Sequence, residues 1–182
     1  MKPTNFELTP FITEADIKAK VKQLALVIDQ QVKNYKEPAL ALCVLKGSFM
    51  FFADLIREVK TDLKCDFLGC SSYGNAERSS GEVKLTLDLA SSVSGQNIIL
   101  VEDIVDTGLT MDFLVEALKA RRPESITTIT LLDKPSARKN DFKVDHIGFT
   151  IPDEFVVGYG LDYAEQFRQL PYIAKLINNN IN

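Results

Sequence analysis

The sequence predicts an α/β protein with a mostly parallel, twisted sheet flanked by helices. Two observations lead to this prediction. Several apolar runs, of which residues 39–45 and 97–101 are the clearest, have the length of strands buried on both faces. Each of these two runs is followed by a loop and then by apolar residues at helical spacing. A repeated order of strand, loop and helix is typical of a parallel sheet, where ligands bind beyond the carboxyl ends of the strands.

The composition is that of a globular protein and argues against several functional classes. The 182 residues, 46% hydrophobic and 25% charged, suit one domain. A net charge of −4 and a pI of about 5.1 disfavour nucleic acid as the main partner. No apolar run reaches the ~18 residues of a membrane span, and residues 1–11 lack the apolar centre of a secretory signal. We therefore expect a cytoplasmic protein with neither a nucleic-acid nor a membrane partner.

Cysteine and histidine are scarce in this chain. Cys43, Cys65 and Cys70 are odd in number and form no C-x-x-C pair, so we expect buried, reduced thiols. His146 is the only histidine and begins an apolar segment. Catalysis by Ser-His-Asp or Cys-His groups is therefore disfavoured, and a general base is expected to be a carboxylate.

The remaining elements follow from periodicity and capping. Thr13 and Asp16 form a capping box before a long helix. Its apolar positions are Ile17, Val21, Leu24, Ala25, Ile28 and Val32. Further helices are predicted from residues 49 and 111, and further strands at residues 65–70, 83–89, 126–132, 147–151 and 155–157. Residues 71–81 form a polar loop long enough for a lid. The last segment, residues 170–177, is predicted to form a short helix.

The most informative segment is residues 101–110, VEDIVDTGLT, in which a buried strand gives way to a loop and a helix. Its second half has the chemistry of a phosphate cradle. Gly108 permits close approach of the backbone, while Thr107 and Thr110 supply hydroxyl donors. The start of the helix adds free N–H groups and the positive end of the helix dipole.

Carboxylates stand beside this cradle, although carboxylates repel phosphate. A sugar phosphate resolves the conflict, because Glu102 and Asp103 can accept hydrogen bonds from ribose hydroxyls or help to hold Mg²⁺ through water. A plain alternative is a helix cap at Asp106 with the other two acids facing water. An aspartic protease is disfavoured because its Asp-Thr-Gly motif belongs to an all-β fold. A phosphoacceptor receiver domain leaves the Thr-Gly-Leu-Thr loop unexplained, and the P-loop pattern is absent.

With these motifs the chain resembles the type I phosphoribosyltransferases, and among them the bacterial hypoxanthine and hypoxanthine-guanine phosphoribosyltransferases. The resemblance covers nearly the whole chain. It rests on residues 45–48 (LKGS), 71–74 (SSYG), 102–110, 131–135 (LLDKP) and 151–168 (IPDEFVVGYGLDYAEQFR). It implies the type I phosphoribosyltransferase fold in a single domain, with a core at about residues 13–135. A small hood would come from the N-terminal segment and residues 136–182. It also implies a homodimer or homotetramer.

The resemblance further implies a purine salvage reaction between phosphoribosyl pyrophosphate and a 6-oxopurine, dependent on Mg²⁺. Asp106 would be the catalytic base near the purine N7. The residues implied for phosphoribosyl pyrophosphate are Lys46, Gly47, Glu102, Asp103, Asp106, Thr107, Gly108, Thr110 and Arg168. Those implied for the metal are Glu102, Asp103 and Asp162. The peptide between Leu45 and Lys46 is expected to be cis.

The purine site implied by the resemblance comprises Lys134, Phe155, Val156 and Asp162. Lys134 would donate to O6, and because an ammonium only donates, it favours a 6-oxo over a 6-amino base. Ser72 and Tyr73 would belong to a flexible loop that closes over the reacting centre.

Leu109 departs from the polar or basic residue that relatives often carry in the phosphate loop. A second hypothesis is a regulator with the same fold that binds nucleic acid, and the acidic charge disfavours it.

Overall fold

The chain folds into two β-sheets, the larger of which carries the helices. The structure is a computed structural model that describes residues 6–72 and 83–178, so Tyr73 and most of the predicted lid loop lie outside the described residues. Ser71 and Ser72, predicted to belong to that loop, instead end a strand, because they pair with Lys84 and Val83 of the next strand. The elements in chain order are β1 (Phe6–Ile12), α1 (Glu14–Val32), β2 (Ala39–Leu45), α2 (Phe49–Glu58), β3 (Leu63–Ser72), β4 (Val83–Leu87), β5 (Asn97–Val105), α3 (Leu109–Lys119), β6 (Ser125–Asp133), β7 (His146–Thr150), β8 (Val156–Val157) and β9 (Ile173–Asn178).

The larger sheet has six strands in the order β4-β3-β2-β5-β6-β7. All neighbouring pairs are parallel except β3 and β4, which are antiparallel. The predicted α/β class with a mostly parallel sheet is therefore confirmed. In its centre, β2 is buried along almost its entire length, as expected for a strand covered on both faces.

Helices α1 and α2 begin as their sequences predict, whereas α3 begins two residues before the predicted start at residue 111. Thr13 caps α1, and its Oγ1 accepts a hydrogen bond from Asp16 N at 3.1 Å. All six apolar positions predicted for this helix are buried. Helix α3 begins directly after Gly108, which adopts φ 80° at the N-cap. That left-handed conformation favours glycine because it carries no Cβ.

Strand β5 runs four residues beyond the predicted apolar run, so the predicted loop at residues 102–110 is shorter than expected. Parallel pairing with β6 continues as far as Val105, which lies opposite Asp133. Along this extension Asp103 and Val105 are buried. The acidic pair therefore sits on a rigid strand rather than on a loop.

The prediction of a helix at residues 170–177 is wrong. The segment contains β9, which pairs antiparallel with β1 on one side and β8 on the other. Ile173 and Ala174 are fully buried in this arrangement. Pairing with β8 and with β1, which lies more than 150 positions away in the sequence, satisfies the backbone of this tail. The local sequence does not indicate such a distant partner.

The two terminal segments of the chain contribute the smaller sheet of β1, β9 and β8, the hood of the molecule. The core sheet, however, extends past the predicted boundary near residue 135. After a 3₁₀ turn at Pro135–Ala137, the chain returns to add β7 parallel to β6.

Within the described residues, no helix is both long enough and apolar enough to cross a membrane.

The cysteines differ in exposure, contrary to the expectation that all three are buried. Cys43 is buried, Cys70 is half-buried and Cys65 is exposed. The reason is that β4 pairs with β3 only from Gly69 onward, so the earlier part of β3 has one uncovered side.

Candidate active site

A cleft of about 630 Å³ opens between the large sheet and the hood. Its walls come from the loop after β2, the ends of β3 and β5, the residue after β6 and the segment 155–168. The predicted site residues that line it are Lys46, Gly47, Asp103, Asp106, Lys134, Phe155, Val156, Asp162 and Arg168. The strands of a parallel sheet thus deliver residues far apart in sequence to one place.

The loop after β2 fits closely between the sheet and the hood. The Leu45–Lys46 peptide is cis, as expected. A Cβ on Gly47 would overlap the carboxylate of Asp103, and a Cβ on Gly160 would overlap the carbonyl oxygen of Gly47. Both positions therefore need glycine for the backbone to approach its neighbours this closely. Gly47 is held between an acid of β5 and the backbone of the hood.

Asp103 and Glu102 form the acidic pair at the end of β5. Asp103 is 7% exposed, and its Oδ1 accepts a hydrogen bond from Ile104 N at 2.7 Å. Glu102 does not line the cleft volume, and its Oε2 is buried without a hydrogen-bond partner among the described residues. Burial raises the pKa of Glu102 well above its usual range, and the neighbouring Asp103 raises it further. Burial also raises the pKa of Asp103, against the opposing effect of its hydrogen bonds and of Arg168.

This pair fits Mg²⁺ better than it fits a metal held by protein ligands alone. Within residues 6–72 and 83–178, no three potential ligands gather into a cage. Mg²⁺ commonly keeps several waters and binds one or two carboxylates together with the phosphates of a substrate. An orphaned buried carboxylate oxygen beside a second acid is compatible with that kind of site. The two carboxyl groups therefore fit a magnesium ion that binds together with a phosphorylated ligand.

The loop between β5 and α3 carries the predicted base and phosphate cradle. Asp106 is exposed to the cleft, and its Oδ1 accepts a hydrogen bond from Thr107 N. Gly108 packs against the side chains of Arg138 and Asn140, which leave no room for a Cβ. Thr107, Gly108 and Thr110 lie directly after Asp106 and do not line the cleft volume itself. Because α3 begins at residue 109, its free N–H groups face this loop.

Lys134, Phe155 and Val156 also line the cleft. The side chain of Lys134 is only 9% exposed, and its Nζ lies 3.8 Å from Asp153 Oδ1. Its backbone N donates to Val105 O at 2.9 Å, which fixes it at the end of β5. Phe155 is 53% exposed and meets Tyr163 edge to face, with ring centroids 5.7 Å apart. An aromatic face this open, beside a buried ammonium, is suited to a flat ligand that carries an acceptor.

Arg168 is one of the cations that line the cleft and makes several polar contacts there. Its Nη1 donates to Gly160 O at 2.8 Å, and its Nη2 lies 2.9 Å from Asp162 Oδ1. Asp162 lines the same cleft, but its carboxylate is engaged by Arg168. Lys46 Nζ adds a second cation, which lies 3.2 Å from Glu165 Oε1.

Several residues of the cleft were not predicted from the sequence. They are Cys70, Ser71, Ile104, Leu161 and Glu165. Glu165 lies inside the segment 151–168 that carries the resemblance, yet its negative charge gave no reason to place it beside an anion. The backbone of this segment has an unusual conformation. A positive φ, between 50° and 76°, occurs at Tyr159, Ala164, Glu165 and Phe167. Non-glycine residues in this region cluster at binding sites, where the surrounding structure supports the strain.

Comparison with known proteins is consistent with this site. Residues 12–164 match the model of the phosphoribosyl transferase domain. The hypoxanthine-guanine phosphoribosyltransferase of Bacillus subtilis (strain 168) is 52% identical over 165 residues, which cover 91% of each chain. The hypoxanthine phosphoribosyltransferase of Escherichia coli (strain K12) is 46% identical over 166 residues, covering 91% of this chain and 93% of that one.

A solved structure extends the similarity to the whole architecture. The crystal structure of a hypoxanthine-guanine phosphoribosyltransferase from Bacillus anthracis aligns with a TM-score of 0.87 at 46% identity, covering 94% of this chain and 100% of that chain. The family model spans most of the sequence, the relatives cover most of both chains, and the fold agrees throughout. The chain therefore belongs to the phosphoribosyltransferase family.

Proposed function

We propose that this chain is a purine salvage enzyme that transfers the 5-phosphoribosyl group from phosphoribosyl pyrophosphate to hypoxanthine and guanine. The products are inosine or guanosine monophosphate and pyrophosphate. One observation carries the proposal: a single cleft holds a carboxylate, a buried ammonium, an open aromatic face and two further cations. Each of these groups is chemically complementary to one part of phosphoribosyl pyrophosphate or of the purine. The names of the similar proteins point to the same two substrates.

Phosphoribosyl pyrophosphate fits the half of the cleft that adjoins α3 and the loop after β2. Its 5′-phosphate suits the N–H groups and hydroxyls at residues 107–110. The ribose hydroxyls suit the carboxyl groups of Asp103, which lines the cleft, and of the neighbouring Glu102, both of which offer acceptor oxygens. The pyrophosphate suits Lys46, the backbone at Gly47 and the guanidinium fork of Arg168.

The purine fits the half of the cleft that contains Lys134 and Phe155. Phe155 offers a face on which the base stacks, and the backbone of Val156 borders its edge. Lys134 offers only donors, so it favours the carbonyl of a 6-oxopurine and leaves the amino group of adenine without a partner. Asp162 also lines the cleft, where it holds Arg168.

The proposed reaction is a displacement at ribose C1 through a transition state with oxocarbenium character, comparable in charge to glycoside cleavage. N9 of the purine forms the new bond to C1 as the bond from C1 to the pyrophosphate oxygen breaks. Asp106 accepts the proton that the purine loses at N7, and Arg168 stabilises the charge that develops on pyrophosphate. Bound Mg²⁺ would neutralise part of the pyrophosphate charge, held near Glu102 and Asp103 with Asp162 as a further candidate ligand.

Two further properties are part of the proposal. The enzyme works in the cytoplasm, where its free cysteines stay reduced. It assembles as a homodimer or homotetramer. Sedimentation analysis of the purified chain tests the assembly, and a monomer across the working concentration range would contradict it.

The test of the function is product formation from defined substrates. Purified protein, Mg²⁺ and phosphoribosyl pyrophosphate are mixed with hypoxanthine, guanine, xanthine or adenine, and nucleotides are separated by chromatography. We expect inosine monophosphate from hypoxanthine and very little adenosine monophosphate from adenine. Equal turnover of adenine would contradict the role of Lys134, and absence of any nucleotide product would contradict the function. The same assay ranks the three 6-oxopurines.

A further inference from the structure

Glu165 lies against both cations of the proposed pyrophosphate site. Its two carboxylate oxygens are 3.2 and 3.3 Å from Lys46 Nζ. Its Oε2 is also 3.5 Å from Arg168 Nη2. The hydrogen bond from Lys46, together with the positive charges of Lys46 and Arg168, lowers the pKa of Glu165 from its usual value, so the carboxylate is ionised at neutral pH. The negative carboxylate of Glu165 therefore contacts the same two cations that are proposed to bind the pyrophosphate of the substrate.

The backbone presents Glu165 in this position. Ala164 and Glu165 both adopt left-handed conformations, with φ of 50° and 62°. Glu165 N donates to Asp162 Oδ2 at 2.8 Å, and the other oxygen of Asp162 lies 2.9 Å from Arg168 Nη2. Asp162 thus fixes the turn that carries Glu165 and the guanidinium that Glu165 approaches. The contact between Glu165 and the cations follows from the shape of this segment.

The strength of the contact is suited to displacement. The side chains of Lys46 and Glu165 are 69% and 68% exposed, and exposed ion pairs are weak because water and salt screen them. Pyrophosphate carries several charges and can engage Lys46 and Arg168 together, so it replaces a single carboxylate readily. A carboxylate that is displaced at each turnover lowers the net affinity for the ligand without blocking the site.

We propose that Glu165 sets the affinity of the enzyme for pyrophosphate, because its carboxylate pairs with Lys46 and Arg168 until the pyrophosphate of substrate or product displaces it. This inference rests on the proposed function of the cleft. In the forward reaction the same competition favours departure of pyrophosphate after transfer, a step that limits turnover in many enzymes. Glu165 acts through the two cations and is a positioning residue rather than a catalytic one.

The test compares binding of magnesium pyrophosphate to the wild-type chain and to Glu165→Gln by titration calorimetry. The amide keeps the size of the side chain and removes its charge. We expect Glu165→Gln to bind roughly two- to five-fold more tightly, the range that corresponds to an exposed ion pair. Glu116→Gln is the matched control, because Glu116 pairs with Lys119 on α3 at a similar exposure and lies outside the cleft. Its affinity should equal that of the wild type.

A double-mutant cycle separates direct contact from the general effect of removing a negative charge. In a Lys46→Met background, Glu165→Gln should give a clearly smaller gain than in the wild type. An equal gain in both backgrounds would overturn the inference, as would an unchanged or weaker affinity of Glu165→Gln. If the wild type binds no magnesium pyrophosphate under conditions where its fold is intact, the proposed function fails first and the inference falls with it.

Discussion

At the scale of single residues, the carboxylate of Asp106 is the group that the proposed chemistry depends on most. It faces the cleft from the turn before α3, and its Oδ1 is oriented by Thr107 N. The only histidine, His146, lies at the start of β7 and does not line the cleft. The base is therefore expected to be this carboxylate.

We predict that Asp106→Asn lowers kcat by roughly 10²- to 10⁴-fold, the contribution of a positioned general base. The amide keeps the size of the side chain and an oxygen for Thr107 N, so the affinity for phosphoribosyl pyrophosphate should stay close to that of the wild type. Steady-state kinetics with hypoxanthine and equilibrium binding of the sugar phosphate check the two parts separately. Turnover within a few-fold of the wild type would show that Asp106 is not the base.

Much of the site could be predicted at this scale because its signals are local. The acids, the threonines and Gly108 lie within ten consecutive residues, and their types alone indicate a sugar phosphate. The need for glycine at residues 47 and 160 could not be predicted in the same way. It arises from contacts with Asp103 and with the Gly47 backbone, which only the fold brings together.

At the scale of elements, Asp29 ties the end of α1 to the chain between α2 and β3. Its Oδ1 accepts hydrogen bonds from Lys60 N, Thr61 N and Thr61 Oγ1 at 3.0, 2.9 and 2.8 Å. Partial burial raises its pKa, but these hydrogen bonds and the nearby Lys60 outweigh that effect, so the pKa lies below its usual value. The ionised carboxylate therefore stabilises the packing of the first helix.

This contact makes a prediction about pH. Because the folded pKa is depressed, the stabilisation is fully present above the unfolded pKa of about 3.9 and is lost as the pH falls through the folded value. Asp29→Ala should therefore lower the free energy of unfolding at pH 7, and its difference from the wild type should shrink towards pH 3. Urea unfolding at several pH values measures this. Asp141→Ala, which removes an exposed carboxylate, serves as the control, and a pH-independent difference for Asp29→Ala would contradict the prediction.

Elements whose pattern is local were predicted well, and those that depend on distant partners were not. The cap and the buried face of α1 follow from spacing within one segment. Strand β9 was predicted as a helix because its apolar residues suit both periods, and only pairing with β1 and β8 decides between them. Likewise, the extension of β5 beyond residue 101 depends on β6 continuing beside it.

At the scale of the whole molecule, the hood and the large sheet share one hydrophobic core. Buried residues of β1, β8 and β9 belong to the same cluster as buried residues of β2, β6 and α1. We propose on this basis that the chain is a single domain. Urea unfolding monitored by circular dichroism and by tyrosine fluorescence should give coincident transitions, and two separated transitions would contradict the proposal.

The central claim is that one cleft holds a 6-oxopurine nucleotide with its base under the hood and its phosphate at α3. A crystal structure of the chain with bound inosine monophosphate tests this most directly. We predict that the base stacks on Phe155, that its O6 lies within hydrogen-bond reach of Lys134 Nζ, and that its phosphate rests on residues 107–110. A nucleotide bound elsewhere, or bound here with its phosphate at Lys134, would contradict the account.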